Sequence, residues 1–185
     1  MPQHLETRNC TLETHDSRLT ITHSQLDTRH SKLTMIALKD IDLLSLQSGL
    51  KTSKDTKAVT MLFDPVRRKN IIVNPEEVVR QLWVLYFLEV LHINRKLIAI
   101  ERSVKINGTK RRFDLMIFDK STDPILLAEF KAPGAIINQA VFDQIGHYNM
   151  ELNVPYSLVS NGSQHYCFMV DDGEKGFVFL KELPF

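Results

Sequence analysis

An Asn107-Gly108 pair separates two strand-like runs of the chain, residues 96–106 and 110–118. An Asn-Gly pair between two such runs is the strongest short-range signal for a β-hairpin with a two-residue turn. This turn fixes the pairing register, because the numbers of opposed residues must then add up to 215, as those of Asn107 and Gly108 do. Glu101 is therefore predicted to lie opposite Asp114.

The predicted register gives the hairpin one polar and one apolar face, since successive side chains on a strand point to opposite sides. The opposed polar pairs are Glu101 with Asp114, Ser103 with Arg112 and Lys105 with Lys110. The apolar face carries Ile100, Val104, Ile106, Phe113, Leu115 and Ile117. Like charges directly opposed on a sheet are unfavourable, so the two acids require a compensating cation. A metal ion or Lys131 would serve.

A third strand is predicted for residues 125–131, after a polar turn at residues 121–124. Strand alternation places Glu129 and Lys131 on one face, with Ala128 and Phe130 on the other. Asp114 lies in the preceding strand. Two acids and a lysine are therefore expected to meet at one edge.

Two helices flank these strands. The first opens at Asn74-Pro75-Glu76-Glu77, with Asn as the cap, Pro at the first position and acids at the positive end of the dipole. It is predicted to run to about Leu91 and is apolar almost all round, as a buried helix is; it is too short to span a bilayer. The second is predicted for residues 137–152 and places Gln144 and Tyr148 on one face.

The remaining elements complete an α/β (α+β) pattern with a mixed central sheet. A strand at residues 59–63 precedes the first helix. Strands at residues 154–160 and 164–170, joined by an Asn161-Gly162 turn, and at residues 176–180 follow the second helix. The order is helix, three-strand meander, helix, then strands. We assign residues 58–185 to this domain and residues 36–57 to a linker with a short helix around residues 38–46.

The first 35 residues form a separate compositional region. Leucines at positions 5, 12, 19, 26 and 33 recur every seven residues, which is the coiled-coil period. Arg and His or Thr fill the second apolar position of each heptad, so a helical dimer would have only half a seam. We favour the alternative, a low-complexity repeat in a disordered tail or an upstream extension. The histidines of this region do not have the spacing of ligands one helical turn apart.

Charge and cysteine content restrict the function only loosely. The net charge is +1, and from residue 61 onward 15 basic residues balance 15 acidic ones. Any nucleic-acid surface must therefore come from local clusters, at residues 67–69 and 110–112. The two cysteines, Cys10 and Cys167, are far apart and carry no metal-binding spacing, which favours a reducing cytoplasm. No signal peptide pattern opens the chain.

The order of elements, with Asp114 followed by Glu129-Phe130-Lys131, resembles the restriction-endonuclease-like core of the PD-(D/E)xK nuclease superfamily. Within it the chain is most similar to the N-terminal nuclease domain of type I restriction enzyme R subunits and small stand-alone relatives. The similarity covers about residues 61–170, and Phe113 stands where the motif name has Pro. The matching pieces are Phe63-Asp64-Pro65-Val66-Arg67, Pro75-Glu76-Glu77, Val79-Arg80-Gln81, Arg112-Phe113-Asp114, Glu129-Phe130-Lys131-Ala132-Pro133, Gln144 to Tyr148, and Asn161-Gly162.

The resemblance implies a Mg²⁺-dependent DNA endonuclease related to restriction or repair, with Mn²⁺ as a substitute ion. A divalent ion neutralises the scissile phosphate and generates hydroxide. Mg²⁺ prefers oxygen ligands and keeps several waters, so Asp114 and Glu129, with the Phe130 carbonyl, would suffice. Lys131 would orient or deprotonate the attacking water and offset developing charge.

The resemblance also implies outer site residues. Glu77 would bind the metal through water, with Glu76 in reserve. Gln144 and Tyr148 would position the phosphate or the neighbouring strand. Lys110, Arg111 and Arg112 would contact backbone phosphates without reading sequence.

Simpler interpretations remain open at these positions. Glu129 and Lys131 could be an edge-strand charge pair, and Glu77 could only complement the helix dipole. The alternative function is a catalytically silent nuclease-fold module that binds nucleic acid or a protein partner. The expected partners are DNA and restriction or repair proteins; a homodimer is left open, and no membrane is expected.

Overall fold

The computed structural model describes residues 38–106, 108–171 and 176–185. The heptad region and Asn107, on which two of the sequence predictions fall, lie outside these residues. None of the helices in the described part is long and apolar enough to cross a membrane.

Two α-helices carry most of the helical content. Helix α1 spans Pro75–Leu85 and continues as a π-helical segment over Tyr86–Val90. The side chain of Asn74 accepts a hydrogen bond from the backbone N–H of Glu77, so the predicted cap is confirmed. Helix α2 spans Gln139–Leu152 and ends at Asn153, which adopts the left-handed conformation. Both helices closely match the predicted spans.

Eleven strands are assigned in the described part of the chain. Strands β1 (Thr52–Lys54), β2 (Thr60–Asp64) and β3 (Lys69–Ile72) form a three-stranded antiparallel sheet. The others are β4 (Ile98–Ile100), β5 (Ser103–Ile106), β6 (Thr109–Arg112), β7 (Leu115–Phe118), β8 (Pro124–Phe130), β9 (Tyr156–Ser160), β10 (His165–Asp171) and β11 (Gly176–Leu180).

The central sheet has six strands in the order β11-β10-β9-β8-β7-β4. All neighbours are antiparallel except β8 and β9, which are parallel and are connected through α2. A parallel pair requires such a crossover, whereas the antiparallel pairs can be joined by short turns. The predicted mixed α/β architecture, with the helix, meander, helix, strand order, is confirmed.

The hairpin register predicted from Asn107-Gly108 is also confirmed. Strands β5 and β6 pair Ser103 with Arg112 and Lys105 with Lys110. The same register continues into the central sheet, where β4 and β7 pair Ile100 with Leu115. Between the two ladders, Glu101 has a φ of 49° and its N–H donates to the carbonyl of Asp114 at 3.0 Å. The ladder is broken at this point, so β5 and β6 form a separate ribbon.

Hydrophobic side chains cover both faces of the central sheet. One face packs against α1, with Trp83 and Phe87 fully buried in its cluster. The other packs against α2 around Phe142 and Phe168. The break between β6 and β7 thus lies at the end of a sheet covered on both faces, where side chains can be held in fixed positions.

The folded unit begins before the boundary predicted at residue 58. Residues 38–57, which the sequence suggested to be a linker, contain two 3-10 helices, Leu38–Asp40 and Leu44–Gly49, and strand β1. Leu38, Ile41 and Leu43 are buried in the core on the α1 side. These residues carry local turn signals, such as Asp42, whose side chain accepts from the N–H groups of Leu44 and Ser45. Their apolar positions become a pattern only when the core that they enter is known.

Candidate functional site

Asp114, Glu129 and Lys131 meet at the edge where β7 begins and β8 ends. Asp114 lies in the break between β6 and β7, and its Oδ2 accepts a 2.8 Å hydrogen bond from the N–H of Phe130. Glu129 is the penultimate residue of β8, and Lys131 follows β8 directly. The Nζ of Lys131 donates to Oε1 of Glu129 at 2.8 Å. The structure therefore brings these three residues together, as the sequence predicts.

Gln144 joins this group from helix α2. Its Nε2 donates to the same Oε1 of Glu129 at 3.3 Å. Tyr148 lies one helical turn further along α2, but its side chain is outside the described part of the structure. The helix thus supplies an amide to the site, and the role suggested for Tyr148 stays a prediction.

Two carboxylates lie close enough in this site to affect each other. Burial raises the pKa of Glu129, and the charge of Asp114 raises it further, while Lys131 and Arg80 partly offset both effects. Two carboxylates that repel each other in a partly buried site favour the binding of a cation. The cation offsets both the cost of burying their charge and their mutual repulsion.

Lys131 is held as an ammonium ion. Burial lowers the pKa of Lys131, but the hydrogen bond and charge of Glu129, with the charges of Asp114 and Glu76, outweigh burial and raise it. A lysine with a raised pKa donates hydrogen bonds and stabilises negative charge, and it does not take up a proton near neutral pH. The two roles predicted for Lys131, orienting the attacking water and deprotonating it, stay predictions.

A buried arginine, Arg80, contacts the other side of Asp114. Its Nη2 lies 2.9 Å from Oδ1 of Asp114. Its Nη1 contacts Glu77 closely and Glu101 at 3.5 Å. The Arg80 side chain is only 7% exposed. Helix α1 therefore reaches the strand break through one guanidinium group that binds three acids.

Arg67, in the turn between β2 and β3, makes a second set of contacts with acids. Its guanidinium binds Asp64, Glu77 at 3.0 Å and Glu101. Asp64 is fully buried and also accepts the backbone N–H groups of Val66 and Arg67, which fixes the turn. Gln81 bridges Asp64 and Glu77 from α1, at 3.1 Å and 3.0 Å.

The cation that compensates Glu101 and Asp114 differs from the predicted one. The sequence suggested a metal ion or Lys131, but Arg80 and Arg67 contact Glu101, and Arg112 lies 3.3 Å from it. Burial raises the pKa of Glu101, but the charges of Arg80, Arg67 and Arg112 outweigh burial and lower it. Lys131 pairs with Glu129 instead, because it directly follows β8 two residues after Glu129 and its side chain lies on the same side of the chain.

The two acids at the start of α1 have different surroundings. Glu77, predicted to bind the metal through water, is buried with its carboxylate engaged by Arg67, Arg80 and Gln81. Glu76, predicted as its reserve, is exposed, and its charge contributes to raising the pKa of Lys131. Glu76 is thus on the Lys131 side of the site, whereas Glu77 neutralises the arginines.

The charges of the site leave room for a divalent cation. Its five acids face three shielded cations, which leaves an excess of two negative charges (five minus three). The acids are Asp64, Glu77, Glu101, Asp114 and Glu129, and the cations are Arg67, Arg80 and Lys131. Arg112, which is 64% exposed, adds a solvent-screened charge at the rim.

The donor set fits Mg²⁺ better than an ion that needs a full protein cage. Among residues 38–106, 108–171 and 176–185, no three His, Cys, Asp or Glu side chains converge as ligands. Asp114 and Glu129 supply two carboxylates, and Mg²⁺ commonly binds through one or two carboxylates with waters. The N–H of Phe130 is committed to Asp114, and its carbonyl as a ligand stays a prediction.

The predicted nucleic-acid residues lie on the separate ribbon. Lys110, Arg111 and Arg112 belong to β6 and are exposed. Arg112 is the one with a contact to the site, through Glu101. Strand β6 ends two residues before Asp114. A nucleic-acid backbone bound along the ribbon would therefore reach the carboxylates.

Four residues of this site were not predicted from the sequence to lie beside the carboxylates: Asp64, Arg67, Arg80 and Gln81. Two signals in the sequence could have pointed to the first three. Glu77 and Arg80 are three apart in a helix, which places opposite charges on one face. Asp64 and Arg67 have the same spacing around Pro65, as in a turn fixed by an aspartate. Neither signal shows that both arginines contact Glu101, which directly follows strand β4.

Comparisons with known proteins identify the family of the chain. A family model described as "Type I restriction enzyme R protein N terminus (HSDR_N)" matches residues 75–184, which is more than half of the chain. A solved fragment, described as that of an HsdR subunit of a type I restriction enzyme from Vibrio vulnificus YJ016, is 18% identical over 60% of this chain, with a TM-score of 0.43. The chain spans 24% of that fragment's length. No curated protein matches the chain. The family match confirms the resemblance deduced from the sequence.

Proposed function

Since the chain belongs to the family of type I restriction enzyme R protein N termini, we propose that it is a Mg²⁺-dependent deoxyribonuclease with an active site formed by Asp114, Glu129 and Lys131. The observation that carries this proposal is the fixed geometry of the three residues. The N–H of Phe130 donates to Asp114. The residues on either side of Phe130, Glu129 and Lys131, are hydrogen-bonded to each other at 2.8 Å.

The divalent ion, when bound, supplies charge neutralisation at the phosphate and a bound water of lowered pKa. Asp114 and Glu129 would hold it through carboxylate oxygens. Mn²⁺ is expected to substitute, because it accepts the same oxygen ligands. Glu76 would add negative charge near this ion, since its charge acts on Lys131.

Lys131 acts as a charged hydrogen-bond donor. Its ammonium group orients the attacking water and stabilises the negative charge that develops on the phosphate. Gln144 keeps the Glu129 carboxylate in place through its 3.3 Å contact. Arg80 and the Phe130 N–H hold the two oxygens of Asp114, at 2.9 Å and 2.8 Å, so that the carboxylate needs no reorientation.

DNA is the proposed substrate. The exposed Lys110, Arg111 and Arg112 give a sequence-independent, salt-sensitive contact with backbone phosphates. Restriction or repair proteins are the proposed partners, because the matching family model describes the N terminus of a restriction enzyme R protein and thus one part of a larger enzyme.

The test uses the full chain, because residues 38–57 belong to the core. Supercoiled, linear duplex and single-stranded DNA are incubated with protein in Mg²⁺, Mn²⁺ or EDTA, and products are resolved on gels. Cleavage in either ion and none in EDTA is the expected result. If the DNA stays uncut in all of these reactions, the proposal that this chain cuts DNA without a partner protein is contradicted.

A binding module that does not cut is the second candidate. The observation that favours it is the arginine contact: Oδ1 of Asp114 accepts from Arg80, so the charge of this carboxylate is partly neutralised without a metal ion. Titration calorimetry with Mn²⁺, followed by DNA binding in EDTA, separates the two candidates. DNA binding without any metal binding would favour the module.

A further inference from the structure

A polar cavity of about 240 Å³ lies beside β4, at the open edge of the six-stranded sheet. It is bordered by the β2–β3 turn, the 3-10 helix Arg95–Leu97 and strand β4. Four of its lining side chains are basic and none is acidic: Arg67, Arg95, Lys96 and Arg102. Neither the sequence patterns nor the proposed function gives the last three a role.

Three of these cations are available to a ligand. Arg67 is neutralised by Asp64, Glu77 and Glu101. Arg95, Lys96 and Arg102 are exposed, and none of the ion pairs among the described residues involves them. The Nη1 of Arg95 donates to the carbonyl of Val66 at 3.3 Å, which keeps its guanidinium at the cavity wall.

The strand edge adds one backbone donor beside the cavity. In an antiparallel ladder, alternate residues direct their N–H groups to the neighbouring strand and away from it. The N–H of Glu101 donates to Asp114 on the β7 side. The N–H of Ile100, one residue earlier, therefore points to the open edge, where Ile100 lines the cavity. Backbone N–H groups with arginine and lysine side chains are the usual ligands of phosphate oxygens.

The cavity and the carboxylate site share one wall. Arg67 lines the cavity, and its guanidinium binds Glu77 and Glu101 on its other side. Glu101 in turn is hydrogen-bonded to Asp114 through the backbone. A phosphate in the cavity would thus lie on the far side of Arg67 from Glu77 and Glu101, whose charges that arginine neutralises.

We propose that this cavity is a phosphate-binding subsite, which holds a backbone phosphate of the DNA away from the scissile one. The proposal rests on the proposed function in that the ligand is part of the DNA substrate. The phosphate comes from one of two sources, an internal phosphodiester or a 5′-terminal phosphate, which share the same recognising chemistry.

The experiment measures DNA binding by fluorescence anisotropy in EDTA, so that no cleavage occurs. The cavity variant carries Arg95→Gln, Lys96→Gln and Arg102→Gln. The matched control carries Lys51→Gln, Lys54→Gln and Lys57→Gln, which removes the same charge from exposed positions elsewhere. Circular dichroism and unfolding midpoints of both variants verify that they are folded.

The cavity variant is expected to bind a 20-base-pair duplex at least about tenfold more weakly than the wild type at about 0.1 M salt, and the control less than about twofold. The slope of log affinity against log salt should decrease by about 0.9 for each phosphate that the variant no longer neutralises. Equal weakening in the two variants, no weakening in either, or no DNA binding by the wild type would overturn the subsite.

The source of the phosphate is read from three DNAs. If the cavity variant loses the same affinity for circular and linear duplex, the ligand is an internal phosphodiester. If it loses affinity only for DNA with 5′-phosphorylated ends, and not for DNA with 5′-hydroxyl ends, the ligand is a terminal phosphate. Because binding is measured without metal, a wild type that binds DNA but never cuts it refutes the nuclease function and leaves the subsite intact. If the wild type cuts DNA and the cavity variant binds DNA as tightly as the wild type, the subsite is refuted and the nuclease function is kept.

Discussion

The Nη2 of Arg80 lies 2.9 Å from Oδ1 of Asp114, and this contact ties helix α1 to the break between β6 and β7. The other oxygen of Asp114 is held by the N–H of Phe130 at 2.8 Å. The carboxylate is therefore fixed from two elements that are far apart in the sequence. Arg80 is a positioning residue, because it acts on the proposed reaction through Asp114.

Removing the Arg80 charge should destabilise the fold strongly. Arg80→Met leaves Glu77 buried with one of its two arginines missing, and breaking such a buried pair costs about 3–5 kcal/mol. The double variant Glu77→Met with Arg80→Met should be destabilised less, because the buried Glu77 carboxylate is removed with its arginine, while Asp114 and Glu101 lose Arg80 in both variants. Urea unfolding measures both, with the exposed Arg68→Gln as the control. A double variant less stable than Arg80→Met would contradict this explanation.

The two acids of α1 should respond differently to neutralisation. Glu77→Gln removes the partner of two buried arginines and should lower the unfolding midpoint. Glu76→Gln, at an exposed position in the first helical turn, should lower the midpoint only slightly and should weaken Mn²⁺ binding or cleavage, since its charge acts on Lys131. The measurements are urea unfolding and Mn²⁺ calorimetry on each variant. The opposite pattern, with Glu76→Gln destabilising and Glu77→Gln not, would show that the assignment is reversed.

Backbone features of the site could be predicted from the sequence because they depend on local signals. The register fixed by Asn107-Gly108 extends correctly to Ile100 and Leu115, across both the β5–β6 and the β4–β7 ladders. Alternation then placed Glu129 beside Lys131. Each of these inferences needs only the turn and the two-residue period of a strand.

Side-chain partners across elements could not be predicted in this way. Glu101 meets Arg67 and Arg80 because the β2–β3 turn, α1 and β4 converge in space, and no sequence spacing encodes that convergence. Nor does any local pattern show that Leu38 and Leu43 enter the core, since most of the residues that cover them belong to elements much later in the chain.

Acid conditions should destabilise the protein through His165. Burial lowers the pKa of His165, and the backbone groups of Ile41 and Gln164 offset this only partly. Because the unfolded chain then binds a proton more readily than the folded one, stability is complete above the ordinary histidine pKa of about 6.5 and falls as the pH decreases below it.

The measurement is the free energy of unfolding at about pH 7.5 and at about pH 5.5, on either side of that pKa. His165→Gln should reduce the destabilisation at the lower pH, and His92→Asn, at an exposed position, should not. An acid-induced destabilisation that is the same in wild type and His165→Gln would show that other groups cause it.

Cys167 should not react with alkylating reagents in the folded protein. It is fully buried, and burial raises the pKa of its thiol to about 12, so almost no thiolate forms at about pH 8. Mass spectrometry after iodoacetamide treatment should find Cys167 unmodified in a Cys10→Ser background and modified after denaturation in urea. Rapid modification without denaturant would contradict the burial of this strand.

Single-turnover cleavage of DNA by the Lys131→Ala variant tests most directly whether Lys131, paired with Glu129 beside Asp114, stabilises the charge that develops during hydrolysis. The expected rate in Mg²⁺ is lower by about 10²-fold or more, as for removal of a charged group at a reacting centre. DNA affinity should be nearly unchanged, and Lys120→Ala, an exposed lysine before β8, should cut like the wild type. A Lys131→Ala variant that cuts as fast as Lys120→Ala would contradict the assignment of Lys131 to the active site.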